Sequence, residues 1–285
     1  YGLADELTPE VADKDVTVAR IYDTKEEIPE SMKGNAYVLT KADVIKSLLS
    51  YAVGCMFGRY SLDVEGLAYA GGDWDASKYT TFIPDADNVI PIFDEAYSDD
   101  DIVQLFTAWL KKVYGDETLE ENLAFIADAL GKKPSESSRE CIRQYFLKNF
   151  YKDHVKTYKK RPIYWLYDSG KKNGFKALIY MHRYDADTTG RVRVDYLHRI
   201  ERTYESEIER MTSDINHGDD ARDIAKATKR RDKLQKQLKE CQEYDEQISQ
   251  PALARIDIDL DDGVKVNYEK VQTVNGKTYK MLAKI

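Results

Sequence analysis

The sequence predicts an α+β chain. In three long stretches apolar residues recur at spacings of three and four, the period of helices with one buried face. Between residues 162 and 180, two runs of β-branched and aromatic residues flank a Gly-containing turn, the mark of a hairpin. Gly, Pro and Asp punctuate the segments between. With 285 residues the chain can bury a sizeable core. We expect a mainly helical connector or scaffold over 1–151, with irregular strands at 59–98. A strand-rich lobe over 152–285 would carry a helical hairpin at 200–249.

The elements follow in order. Residues 1–50 are acidic, broken by Pro9 and Pro29, and then turn helical. Val44, Ile45, Leu48, Leu49, Val53 and Met56 share one face of a helix over Ala42–Gly58. Residues 59–98 mix Gly, Asp and Pro with short apolar runs at Leu67–Tyr69, Tyr79–Ile83 and Val89–Phe93, which predicts short strands. Ser98 or Asp99 would cap a helix through Ile102, Phe106, Trp109 and Val113. Thr118 and Glu121 have capping-box spacing before Leu123, Ile126 and Leu130. Ser135 or Ser138 would start a third helix through Ile142, Tyr145 and Phe150. Ile163–Tyr167 and Phe175–Tyr180 read as paired strands. Arg191–Tyr196 alternates at period two and reads as another strand. Two antiparallel helices follow over 200–216 and 220–249, broken at Asn216–Asp219, the second stopped by Pro251. Two or three strands would close the chain over 253–281, turning at Asn275-Gly276.

Composition bounds the function. The net charge is −8, from 43 Lys and Arg against 51 Asp and Glu, but it is unevenly spread. Residues 1–138 carry 12 basic and 27 acidic side chains, 139–199 carry 15 and 6, and 200–285 carry 16 and 18. A Debye length of about 8 Å makes the field local, so the +9 middle could present a cationic face or be neutralised by the acidic first half. No apolar run approaches the roughly 18 residues of a membrane span. Cys55, Cys141 and Cys241 make no disulfide framework, which fits a cytoplasmic setting. No charged-then-apolar leader is visible, and a start at Tyr1-Gly2 without Met leads us to expect an excised piece of a longer protein.

Catalytic motifs fail one by one. Gly276-Lys277-Thr278 resembles the tail of a phosphate loop, but Val271 stands where its first glycine belongs. The chain has no Gly-x-Gly, no Pro-Pro and no Glu-x-Lys. His154, His182, His198 and His217 have no zinc spacing. Asp257, Asp259, Asp261 and Asp262 resemble part of a calcium loop, yet position twelve would be Tyr268, so solvated turn carboxylates are the better reading.

The basic, aromatic middle remains. Phosphate neutralisation needs clustered Lys and Arg, and a tight glycine turn lets lysines approach a backbone. The candidate DNA-binding residues are therefore Lys159, Lys160, Arg161, Lys171, Lys172, Asn173, Lys176, Arg183, Arg191 and Arg193. The interleaved aromatics Tyr158, Tyr164, Trp165, Phe175 and Tyr184 are better read as core. For the lysines the competing reading is a solvated rim.

The run from Arg161-Pro162-Ile163-Tyr164-Trp165 through Asp168-Ser169-Gly170-Lys171-Lys172-Asn173-Gly174-Phe175-Lys176 to His182-Arg183-Tyr184 resembles the large BREX-type (PglX) adenine-specific DNA methyltransferases and related fused restriction–modification methylases. Tyr1–Pro9, Gly58–Asp63, Glu117–Leu123 and Asp259–Tyr268 agree with it in order. In that family a methyltransferase core, with its S-adenosylmethionine loop and Asn-Pro-Pro-Tyr loop, precedes the Tyr-Gly-Leu block. No catalytic or cofactor residue carries over, because no position here matches. The resemblance implies a C-terminal piece of an N6-adenine DNA methyltransferase of a phage-defence or restriction–modification system. Its cofactor would sit in the missing N-terminal core, and double-stranded DNA and that core would be its partners. The alternative is a protein-interaction module docking other defence-system subunits. For it the hairpin at 200–249, with 23 charged residues in 50, would serve as a docking arm or a solvated spacer.

Overall fold

The computed structural model describes residues 11–285; the Tyr1–Pro9 block lies outside them. Strands β1 (Arg20–Tyr22) and β2 (Val38–Thr40) pair in parallel. Thr40 then caps α1 (Lys41–Met56): its hydroxyl accepts from the Asp43 amide, and the Asp43 carboxylate accepts from the Thr40 amide. Ile45, Leu49, Ala52, Val53 and Met56 bury its inner face.

Residues 59–98 hold less strand than the sequence predicts. Only β3 (Ile90–Pro91) and a 3-10 turn at Ala76–Lys78 are regular, and Leu67–Tyr69 and Tyr79–Ile83 are loops. The Asp63 carboxylate accepts from the amides of Thr80 and Thr81, so a side chain takes the bonds a ladder would have used.

Helix α2 (Ile102–Tyr114) is capped by Asp101 instead of Ser98 or Asp99. Asp101 is fully buried and pairs with Arg143 at 2.6 Å, which ties this cap to α4 (Ser138–Tyr145). Between them, α3 (Leu119–Ala129) starts without the expected capping box, because the Thr118 hydroxyl donates to the Tyr114 carbonyl. Ser137 and Glu140 form the box of α4. The helical run continues through a π segment, Phe146–Phe150, into α5 (Tyr151–Thr157), across position 151.

Strands β4 (Tyr164–Asp168) and β5 (Lys176–Tyr180) form the expected hairpin, and β3 adds to β5, so the antiparallel order is β3-β5-β4. Tyr164, Leu166, Leu178 and Tyr180 face a core built by α1–α4. Trp165, Tyr167, Ala177 and Ile179 face a second core on the other side. A sheet buried on both faces reads as a continuous apolar run, as this one does.

The predicted strand at Arg191–Tyr196 is helical. Helix α6 (Thr188–Arg191) passes through a π segment, Val192–Leu197, into α7 (His198–His217). Val192, Tyr196 and Leu197 are buried while Val194 and Asp195 are exposed, so a helical period decides burial there. After the break at Gly218–Asp220, α8 (Ala221–Ala254) packs back along α7, as the periodicity predicts. Pro251 does not stop α8, which ends on left-handed Arg255. One missing N–H near the end of a helix held by buried Ile248 and Pro251 is not enough to break it.

Only part of 253–281 is strand. Residues Gly263–Lys270 form α9, fixed by buried Asn267, whose side chain both donates to and accepts from the Asp259 backbone. Strands β6 (Thr273–Val274) and β7 (Lys277–Thr278) turn at Asn275-Gly276, both at positive φ. The chain end then runs along β4: Asp168 donates to the Met281 carbonyl and Ala283 to that of Leu166, covering the sheet edge. The three cysteines are unpaired and buried.

Candidate nucleic-acid interface

The hairpin turn is shaped by α8. The ladder closes on the Asp168–Lys176 pair, whose side chains meet at 2.7 Å. Beyond it, the Glu240 carboxylate of α8 accepts from the Ser169 hydroxyl (2.9 Å), the Lys172 amide (2.8 Å) and the Gly174 amide (3.0 Å). Gln237, one turn earlier, donates to the carbonyls of Lys172 (3.3 Å) and Asn173 (3.2 Å). The approach is close enough to require glycine twice. A Cβ at Gly170, where φ is +139°, would lie 2.8 Å from Glu240 Oε2; one at Gly174 would lie 2.7 Å from the Gln237 carbonyl oxygen. The turn is thus clamped to a helix, with Lys171 and Lys172 on its exposed side.

Lys172 shares a groove of about 720 Å³ with Lys226, Lys229, Arg230, Lys233 and Lys236 of α8. Three of these cations are partly neutralised. Lys233 pairs with Asp94 (2.7 Å) and Glu95 (3.2 Å); burial lowers its pKa, but the two carboxylates outweigh it, so the net shift is upward. Arg230 pairs with Glu95 and Glu207, and Lys226 with exposed Asp223. Among the described residues, the Nζ atoms of Lys171, Lys172, Lys229 and Lys236 have no carboxylate within 4.0 Å, although the Lys172 backbone amide donates to Glu240.

The other candidates lie elsewhere. Lys159, Lys160 and Arg161 are exposed after α5, the first two in left-handed conformation, at the opposite end of β4 from the turn. Five residues of strand separate the two clusters, about 13–17 Å. Arg183 caps loop carbonyls of Phe57, Asp85 and Ala86 and lies over the Trp74 ring. Arg191 pairs with Asp185, and Arg193 holds Asp245 through two hydrogen bonds that raise its pKa. Lys176 is buried with Asp168. Of the ten, only Lys171, Lys172 and Asn173 share the turn. The α8 cations, with Gln237 and Glu240 that position the turn, were not among the ten; their spacing of three and four was the available signal.

Strand β2 runs straight into α1 through Thr40, and β4 and β5 join by a hairpin, so neither junction is the glycine loop before a helix N-terminus that cradles a dinucleotide. Among the same residues no helix is long and apolar enough to cross a membrane.

An α+β fold whose sheet is buried on both faces, with a clamped cationic turn, does not by itself name a family, and no protein-family model matches the chain. Similarity to characterised proteins does. Over 275 residues, 95% of this chain, it is 46% identical to the adenine-specific methyltransferase PglX of Lacticaseibacillus casei (strain Zhang). Over 242 residues, 81% of the chain, it is 41% identical to the adenine-specific methyltransferase BrxX of Escherichia coli O9:H4 (strain HS). The chain is the homologue of one segment of these PglX/BrxX adenine-specific methyltransferases. It spans about one fifth of the length of either relative.

Proposed function

We propose that this chain is a non-catalytic, DNA-facing C-terminal segment of an N6-adenine DNA methyltransferase of a BREX-type phage-defence system. The methyl donor, S-adenosylmethionine, would bind in the catalytic core outside it. The observation that carries this reading is the turn at 169–174, which Gln237 and Glu240 of α8 hold by hydrogen bonds and whose two lysine ammonium groups have no carboxylate partner among the described residues. A preorganised cationic turn gains phosphate contacts without first losing conformational freedom. Phosphate contacts set position and orientation but carry no sequence information, so the turn would seat the duplex while other groups read it.

The test is Lys171→Glu with Lys172→Glu in the full-length protein. Binding to target and non-target duplexes should weaken about equally, and the slope of log K against log salt should shrink by about 1–2, at about 0.9 per phosphate. An unchanged slope rejects the contact. A loss confined to target DNA would mean base reading instead.

A further inference from the structure

We propose that the α7–α8 hairpin is a second phosphate-tracking wall, in which Lys226, Lys229, Lys233 and Lys236 follow one strand of the duplex seated by the turn. This rests on the DNA-facing reading above and extends it to an arm whose mixed charge looks like that of a solvated spacer.

On α8 these four lysines stand at steps of three, four and three residues. At 100° and 1.5 Å per residue they fall within an arc of about 80° and span about 15 Å along the axis. All four are exposed. Lys172 faces the same groove from the turn, so six cations line it against two carboxylates, Glu95 and Asp232. Lys229 and Lys236, the two without carboxylate partners, sit about 10 Å apart. Like charges aligned at this spacing repel, and in the free protein only part of that repulsion is relieved, through Lys226–Asp223 and Lys233–Asp94. A polyanion relieves the rest. A ridge about 15 Å long is long enough to meet more than one consecutive phosphate of a B-form strand. The occupant is therefore a continuous phosphate backbone. Glu240, the one acid in the arc, is turned away into three hydrogen bonds with the 169–174 turn. Within the arc of the four lysines α8 thus presents no free carboxylate, while Glu95 and Asp232, at the groove's edges, pair with Lys233, Arg230 and Arg231.

The experiment is a salt titration of duplex binding by the full-length protein and three charge-matched double variants. Lys229→Glu with Lys236→Glu tests the ridge. Lys171→Glu with Lys172→Glu tests the turn. Lys112→Glu with Lys133→Glu, exposed in the α1–α5 layer across the sheet, controls for net charge. The ridge variant should reduce the log–log slope by about 1.8, two contacts at about 0.9, while the control leaves it unchanged. A ridge slope equal to the control's overturns the inference: with the turn variant still losing slope, the DNA-facing reading survives, and with neither moving, both fail. If only the ridge variant moves, the ridge stands and the turn assignment falls. A ridge variant that keeps its DNA slope but sheds a protein subunit would make the arm a docking surface and likewise overturn the inference. Should Glu substitution lower the melting temperature, Lys229→Gln with Lys236→Gln gives the same comparison with less repulsion.

Discussion

His154 shows how far burial, with a nearby charge, can move a residue's pKa. Its Nε2 accepts a hydrogen bond from the Tyr164 amide at 3.1 Å, at the start of β4, and the ring stacks on Tyr164. Burial, then the Arg59 charge, hold its pKa down at about 3 instead of 6.5. The native state therefore stays unprotonated while the unfolded chain takes up a proton below pH 6.5. The stability this site contributes is complete above 6.5 and is lost as pH falls toward 3. At about 1.36 kcal/mol per pH unit, the loss between pH 6.5 and 4.5 is at most about 2.7 kcal/mol. Urea unfolding at those two pH values should show this extra acid sensitivity in the natural protein and not in His154→Gln, which keeps an acceptor for the amide. Equal losses in both would contradict the assignment. Nothing in the local sequence of His154 announces this role, because the partner amide is ten residues away. The same holds for Lys176, Arg183 and Arg193: a charged residue's sequence neighbours do not reveal that Asp168, the Phe57 carbonyl or Asp245 engages it.

At the scale of elements, periodicity was the reliable guide wherever it ran long enough. The α7–α8 hairpin was legible because its apolar residues repeat over several turns on both sides of Gly218. The β4–β5 hairpin was legible from its aromatic strands and glycine turn. Arg191–Tyr196 failed because six residues with two valines fit either period, and only the burial of Tyr196 and Leu197 together settles it. The α8 ridge was visible as a spacing of lysines but hidden by the hairpin's near balance of charge. The clamp itself makes a prediction with a telling sign. Glu240→Ala removes a negative charge beside the cationic groove, which by Coulomb's law alone would strengthen duplex binding. If Glu240 instead holds the 169–174 turn in place, the full-length variant should bind DNA more weakly, and amide exchange at Lys172 and Gly174 should speed up. Tighter binding would show that the turn needs no positioning.

For the whole molecule, the three-stranded sheet is the common wall of two cores. Its central strand β5 sends Leu178 and Tyr180 into one and Ala177 and Ile179 into the other. Leu178 is fully buried, so Leu178→Ala should cost about 2–5 kcal/mol through lost contacts and a cavity. Because β5 serves both layers, that cost should appear equally in each. Trp109 reports on the first core and Trp165 on the second. In single-tryptophan versions of the chain, both should shift to the same new unfolding midpoint; separate midpoints would mean that the layers fold independently. That architecture gives the turn its position: β4 and β5 carry it out from the sheet, and α8, packed on the second core, catches it. The most direct measurement is a structure of the full-length protein with duplex DNA. The account predicts phosphate oxygens within ion-pair distance of Lys171 or Lys172, with the backbone continuing along α8 past Lys229 and Lys236. DNA seated elsewhere, with the 169–174 turn and α8 facing solvent or another protein, would contradict it.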